Sequence, residues 1–353
     1  MFGIKRHISE IHARLPDVSL NLIEYDNRRF GVGSRLDLLL NDYVHHPLCV
    51  RRRLRPGHVR VITAQHFLYL LTTLRLRPCA VFCHDLIRLT RAQDYPSRLN
   101  AFLTRHSFGN LARADRVVTL SEHVRGSILD AFHLPPERVV VVPCAVDHRL
   151  FRPDDGRRRE MRRRWGVGEG PVLLYVGSEE PRKNLDFLAQ TAAEVRRRLP
   201  EVRMVKVGQP QYPGGRERFL KSAEAAGVAD ILKIIDFLPE GPDGLPAAYN
   251  AADVFLFPSL DEGFGLPPLE AMASGTPVVA SDATSIPEVV GAGGVLLPPR
   301  SPAEFAEAAC RLITDAPFRE ATVRNGLAQA ARFTWEESAR RIHRVYQSLA
   351  DGI

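Results

Sequence analysis

The stretch Pro258–Ser281 reads PSLDEGFGLPPLEAMASGTPVVAS and decides the reading of the whole chain. Glu262 and Glu270 flank a turn bearing Gly263, Phe264 and Gly265, and the residues from Leu266 to Ala273 that follow predict a helix. Just upstream, ADVFLF at Ala252–Phe257 has the short, bulky, apolar character of a buried strand. The turn therefore belongs at the carboxyl end of a sheet strand, where open α/β sheets bind ligands.

Glycines let a backbone approach a ligand closely. Amide groups at a helix start carry partial positive charge toward a phosphate or sugar oxygen. Two carboxylates add acceptors of the kind that hold vicinal hydroxyls, as carboxylates do with the ribose of nucleotides. Turn glycines are common, so the glycines alone better fit an ordinary strand–turn–helix carrying two solvated glutamates; the full string is far more specific.

The segment EGFGLPPLEAMASGTPVVAS resembles the E-x7-E region of retaining nucleotide-sugar glycosyltransferases of the GT-B fold, in particular glycosyltransferase family 4. The resemblance implies an α/β protein of two Rossmann-like, doubly wound domains facing across a cleft. It implies further that Glu262 and the amides around Gly263, Phe264, Gly265 and Leu266 contact the transferred sugar, and that Glu270 binds the ribose.

At 353 residues the chain exceeds what one core usually holds, so two domains are expected. Their expected limits are 1–152 for an acceptor-side domain and 153–334 for a donor-binding domain, with 335–353 a helix crossing back to the first. An apolar content of 45% with 25% charged residues excludes a disordered chain. Five cysteines without a C-x-x-C pair suggest neither a disulfide framework nor a zinc site and fit a reducing cytoplasm. The first residues lack the apolar core of a signal peptide. The uncharged run Val61–Leu74, at 14 residues, is too short to span a bilayer.

The net charge of +7 is uneven: the first 152 residues carry 23 Lys/Arg against 13 Asp/Glu, the remainder 25 against 28. Such a basic half suits an anionic membrane surface, a phosphorylated acceptor or nucleic acid, or reflects only a coding bias toward arginine, since just five residues are lysine. The aromatic interleaving of a nucleic-acid platform is missing, so nucleic acid is not an expected partner.

Along the chain, GIKRHISEIHARL at Gly3–Leu15 has a helical apolar stripe and Val18–Tyr25 alternates like a strand. Family 4 members open with a strand and glycine-rich loop before this helix, so Met1–Gly3 reads as the stub of that loop, with the first strand absent or the start site misassigned. Val59–Gln65 and Cys79–Asp85 are apolar runs ending in polar residues, as strands of a parallel sheet end at their active edge. The second ends in FCHDLIRLT, similar to the HDL segment of family 4 enzymes, many of them mannosyltransferases; the resemblance places His84 against the donor sugar. Arg116–Ser121 and Val139–Val142 predict further strands, with Ser121 capping a helix. Cys144 reads as a small buried residue, with no partner base in sequence to activate it. The arginine run in RRREMRRRW at Arg157–Trp165 predicts a helix with a solvated basic face, or one lying against acidic headgroups.

In the second half PVLLYVG at Pro171–Gly177 predicts a buried strand followed by SEEPRKN. Arg182 and Lys183 thus stand at a strand's carboxyl end, where adjacent cations suit a diphosphate. By resemblance they are the family's phosphate-binding pair, with Gly177 beside them. Val202–Val207, Ile231–Ile235, Pro277–Ala280 and Gly293–Leu297 continue the strand series. Phe237 and Leu238 line the base pocket by resemblance.

The chain has no two aspartates separated by one residue, so a metal-binding D-x-D is absent and a metal-independent reaction with no cofactor is expected. The expected activity is transfer of a hexose, mannose from GDP-mannose being favoured over a UDP-hexose, to a glycan or lipid-linked saccharide at the inner membrane face. Catalytic candidates are Glu262, His84, Arg182 and Lys183. A nucleotide-sugar epimerase of the same fold and a non-catalytic glycosyltransferase-like subunit are the rival readings.

Overall fold

The computed structural model describes residues 2–16, 18, 19, 21, 23, 37, 40–94 and 98–351. The expected strand Val18–Tyr25 lies largely outside them. The chain forms two compact units, one of Met1–Pro143 with Trp335–Ile353, the other of Cys144–Thr334.

The first unit holds four strands, β1 (Arg60–Ile62), β2 (Cys79–Phe82), β3 (Arg116–Thr119) and β4 (Val139–Val141), all parallel and in chain order. Every residue of β2 is buried, which explains its unbroken apolar sequence: a central parallel strand is covered on both faces. The turn from β3 into helix Glu122–Phe132 is set by Ser121, whose hydroxyl accepts from the Val124 amide at 3.2 Å. The last helix of the chain, Trp335–Ala350, belongs to this unit and buries Ala339, Ile342, Val345, Tyr346 and Leu349 along one stripe. It is tied down by Ser338, which donates to the Pro143 carbonyl at 2.8 Å, and by Tyr346, whose hydroxyl lies 3.0 Å from His12 Nε2.

The second unit is a six-stranded parallel sheet of β5 (Val172–Val176), β6 (Arg203–Val207), β7 (Leu232–Ile235), β8 (Val254–Phe257), β9 (Val278–Ser281) and β10 (Val295–Leu297). Its order, β10-β9-β8-β5-β6-β7, reverses between β5 and β8, as a doubly wound sheet does. β5, β8 and β9 are buried throughout. Cys144, Ala145, Val146 and Phe151 are buried in this unit, so the unit boundary lies nine residues ahead of the expected 153 start.

The arginine run did not turn out wholly solvated. Helix Asp155–Trp165 directs Arg158 and Arg162 at Asp253, at 2.6 and 3.1 Å, and Arg162 is buried while also donating to the Ala251 and Gly168 carbonyls. A charge four residues along a helix falls on the same face, so these two reach one carboxylate while Arg163 and Arg164 face solvent and pair with Glu160. No described helix is long and apolar enough to cross a membrane.

Candidate functional site

Parallel strands all present their carboxyl ends to one edge, and at the order reversal the loops after β5 and β8 lie side by side. The first loop carries Arg182 and Lys183 on a single 3-10 turn, Pro181–Lys183. The second carries Glu262. The two are joined by the Leu260 amide, which donates to the Arg182 carbonyl at 2.7 Å, and by Arg182 Nη1, which donates to the Asp261 carbonyl at 2.9 Å.

The side chains complete the junction. Lys183 Nζ lies 2.6 Å from Glu262 Oε1 and Arg182 Nη1 lies 2.9 Å from Oε2, so one carboxylate holds both cations. Arg182 Nε is held by Glu180 at 2.6 Å. Burial alone would raise the Glu262 carboxyl, but Lys183 and then Arg182 outweigh it and hold it down at about 2. Burial presses the Lys183 ammonium downward against the opposing pull of Glu262. Arg182, despite burial, is raised by Glu262 and Glu180 and stays charged. The Glu262 backbone is fixed in turn: its amide donates to Thr284 Oγ1 at 3.1 Å, and Ser285 Oγ donates to the Glu262 and Phe264 carbonyls at 2.8 and 2.9 Å.

Helix Leu266–Ala273 begins on Gly265, which caps it with φ of 116° and no side-chain bond. Pro267 and Pro268 follow, so they remove two of the first turn's amide donors, and the Leu269 amide is spent on the Gly265 carbonyl at 3.3 Å. The helix start thus leaves a ligand the amides of Phe264, Gly265 and Leu266, a narrower set than a helix terminus ordinarily carries. Phe264 itself points inward, edge-on to Phe333 with ring centroids 5.7 Å apart, so it serves any ligand only through its backbone. Glu270, one turn on, is buried and accepts from the Tyr249 hydroxyl at 3.0 Å.

Gly177 follows β5 and is paired to the Val207 carbonyl. A Cβ on the facing Gly208 would fall 2.6 Å from the Gly177 carbonyl oxygen, so the two strand ends approach as only glycine permits. After β7, Phe237 is 77% exposed and Leu238 is half-buried. The second unit therefore gathers Arg182, Lys183 and Glu262 into one contact, and sets Gly177, Phe237, Leu238, Gly263, Phe264, Gly265, Leu266 and Glu270 on loops or a helix following strand ends. His84 is in the first unit, buried two residues past β2, where burial first and then His7 and His66 depress it to about 3, so it is neutral.

Several participants escaped sequence reasoning. Glu180, Thr284, Ser285 and Tyr249 orient the site, and a second network, buried at Lys206 and Glu179 and reaching the surface at Asp236, lies beside it: Lys206 Nζ at 2.6 Å from Glu179 Oε1, the same oxygen 2.6 Å from Arg216 Nε, and Arg216 Nη2 at 2.6 Å from Asp236. Thr284 and Ser285 follow β9 at the same sheet edge, a position from which they could have been singled out. Nothing in the sequence marks Lys206 as fully buried.

Solved structures with this architecture are the Anabaena protein HepE in complex with UDP and glucose, 21% identical with a TM-score of 0.76 over 91% of this chain and 84% of that one, and WaaG, a glycosyltransferase involved in lipopolysaccharide biosynthesis, 18% identical with a TM-score of 0.73 over 98% and 96%. Two parallel-sheet α/β units matching these structures define a GT-B fold. Residues 19–150 match the family model described as Glycosyltransferase Family 4, and residues 170–315 the model described as Glycosyl transferases group 1. The chain thus carries, in its two halves, one stretch similar to each of these glycosyltransferase families. Among curated relatives, an Escherichia coli O-antigen chain mannosyltransferase B is 29% identical over 78% of this chain and 71% of its own length. A D-inositol 3-phosphate glycosyltransferase of Acidothermus cellulolyticus is 38% identical over 67% of this chain and 54% of its own length. The chain thus spans only about half of the second relative.

Proposed function

We propose that the protein is a retaining, metal-independent hexosyltransferase that moves mannose from GDP-mannose to a glycan or lipid-linked saccharide, working in the cytoplasm with peripheral contact to an anionic membrane face. The observation that carries the transferase reading is the Arg182–Glu262–Lys183 junction at the strand-order reversal, where doubly wound sheets bind nucleotides. The mannosyltransferase relative favours mannose. HepE was solved with UDP and glucose, so a UDP-hexose is the competing donor.

In this reading the diphosphate meets Lys183, which spends one of its three donors on Glu262, and Arg182, whose fork is oriented by Glu180. Glu262 and the amides of Phe264, Gly265 and Leu266 take the sugar, Glu270 takes the ribose, and Phe237 with Leu238 stacks on the base. His84 faces the sugar. As the glycosidic bond breaks, charge accumulates on the leaving diphosphate, and fixed donors there each lower the barrier by about 2–4 kcal/mol. No paired base is needed if the departing phosphate oxygen accepts the acceptor hydroxyl's proton.

The test is product analysis with GDP-mannose, UDP-glucose and UDP-galactose against a membrane saccharide extract. Transfer from GDP-mannose that is lost in Glu270→Ala, with thermal stability kept, supports the reading. Turnover only from a UDP-hexose moves the donor assignment, and hydrolysis-free epimerisation without acceptor replaces the reaction class.

A further inference from the structure

β1 and β2 are parallel neighbours, so the segments beyond their carboxyl ends lie together. Gln65, on the turn after β1, and His84, after β2, meet there, both buried. Gln65 Oε1 lies 3.2 Å from the His84 backbone nitrogen and 3.2 Å from His84 Nδ1. A backbone N–H can only donate, so the glutamine atom facing it is its carbonyl oxygen; the Gln65 amide nitrogen, 3.5 Å from the Asp85 carbonyl, agrees with that orientation. An oxygen that only accepts requires Nδ1 to carry the proton. Nε2 is then a bare lone pair, and it is buried with no hydrogen-bond partner among the described residues.

The surrounding rings keep the imidazole in place. Phe82 stacks on His84 at 5.9 Å with 22° between planes, and His7 meets it edge-on at 5.7 Å. Burial together with His7 and His66 disfavours the imidazolium, so the neutral ring persists and its tautomer decides what it recognises.

We infer that Gln65 is a positioning residue which fixes His84 as the Nδ1–H tautomer and so makes Nε2 an acceptor for a sugar hydroxyl. A lone pair takes a hydroxyl, which brings a proton, and refuses a phosphate oxygen, which brings none. The inference rests on the reading of His84 as facing the donor sugar, and it sharpens that reading: His84 recognises the hexose and leaves the diphosphate to other residues.

The full chain labelled with 15N-histidine decides the matter by two-bond nitrogen–proton correlation at neutral pH. Expected is a protonated Nδ1 and an unprotonated Nε2 for His84, a mixed tautomer in Gln65→Leu, and an Nε2 resonance displaced by GDP-mannose but not by GDP. Gln65→Glu, which still presents an oxygen to both donors, should keep the tautomer and raise the His84 pKa, and it decides the question should Gln65→Leu not fold. With turnover established, Gln65→Leu should lower kcat about 10-fold, the worth of one hydrogen bond to a positioned group, and Gln65→Glu should restore part of it. An Nε2–H tautomer in the unaltered chain, an unchanged tautomer in Gln65→Leu, or equal displacement by GDP alone overturns the inference. Absence of turnover with every sugar nucleotide fails the transferase reading, while the tautomer measurement still rules on Gln65.

Discussion

Glu262 places its two carboxylate oxygens on two different cations of one turn, Oε1 on Lys183 Nζ at 2.6 Å and Oε2 on Arg182 Nη1 at 2.9 Å. The pair Lys183–Glu262 is nine-tenths buried, so its members have little water to fall back on. Removing Lys183 leaves the buried Glu262 carboxylate with Arg182 alone, at a cost of about 3 kcal/mol. Lys183→Met should therefore lower unfolding free energy by roughly that amount, and adding Glu262→Gln to it should restore most of the loss. Urea titration of the single and double variants checks this; an additive double variant would mean that the two side chains do not interact.

Acid should loosen the two units at different pH. His84 and His7 are neutral in the first unit, lowered from 6.5 to about 3 and about 4, in both by burial foremost. An unfolded histidine binds its proton near pH 6.5, so between that pH and the folded values the unfolded state holds more protons and stability falls as pH falls. Glu262, in the second unit, is lowered from 4.5 to about 2, so its contribution is complete above pH 4.5 and is lost only from there downward. Hydrogen exchange along a pH series should show β2 opening before β8. His7→Phe should move the first opening to lower pH and leave the second where it was; simultaneous opening of both sheets counts against this account.

The network Lys206–Glu179–Arg216 predicts a stability effect with no obvious link to turnover. Lys206 and Glu179 are both fully buried, and Glu179 Oε2 has no partner among the described residues. Lys206→Met leaves Glu179 with Arg216 alone and should cost about 3 kcal/mol by urea unfolding. Lys206→Arg, too large for a closed site, should not rescue it.

How much of this was legible in the chain follows from what parallel sheets require. Strands buried on both faces must be apolar runs, so β5, with VLLYV, and β8, with VFLF, stand out in the sequence, and polar residues just past them mark the ligand edge. Arg182, Lys183 and Glu262 are visible for that reason. What pairs with what is not: Lys206 sits in β6 among Val205 and Val207, and only the fold shows that Glu179 meets it. Likewise Arg158 and Arg162 read as members of a solvated run until Asp253 is brought beneath them. The Gln65–His84 contact joins residues 19 apart through strand adjacency, which no local pattern encodes.

Phe237 separates binding from folding. At 77% exposure it lends little to the core, so Phe237→Ala should leave the thermal midpoint essentially unchanged, as surface substitutions do. If the ring stacks on the nucleobase, its loss should weaken GDP binding by about 10-fold, since base–aromatic stacking contributes on the order of 1–3 kcal/mol. Calorimetric titration with GDP reads the second effect and a melting curve the first. Unaltered affinity would remove Phe237 from the base pocket.

Gly265 carries the turn on which the chain's most distinctive string depends. Its φ of 116° lies where side chains are strained, and a Cβ there would sit 3.3 Å from Pro268 Cγ, a ring that the helix's own geometry prevents from retreating. Gly265→Ala should therefore cost about 1–3 kcal/mol, and the relaxation that follows should shift the Leu266 amide, which the two prolines leave as the first-turn donor not already spent inside the helix. Stability by urea unfolding and GDP-mannose affinity should fall together in Gly265→Ala. In Gly263→Ala, at a residue that is not among those with positive φ, the fold should keep its stability. A Gly265→Ala protein as stable as the parent, with donor affinity intact, would show that the turn tolerates a side chain and that the glycine is not what brings backbone and ligand together.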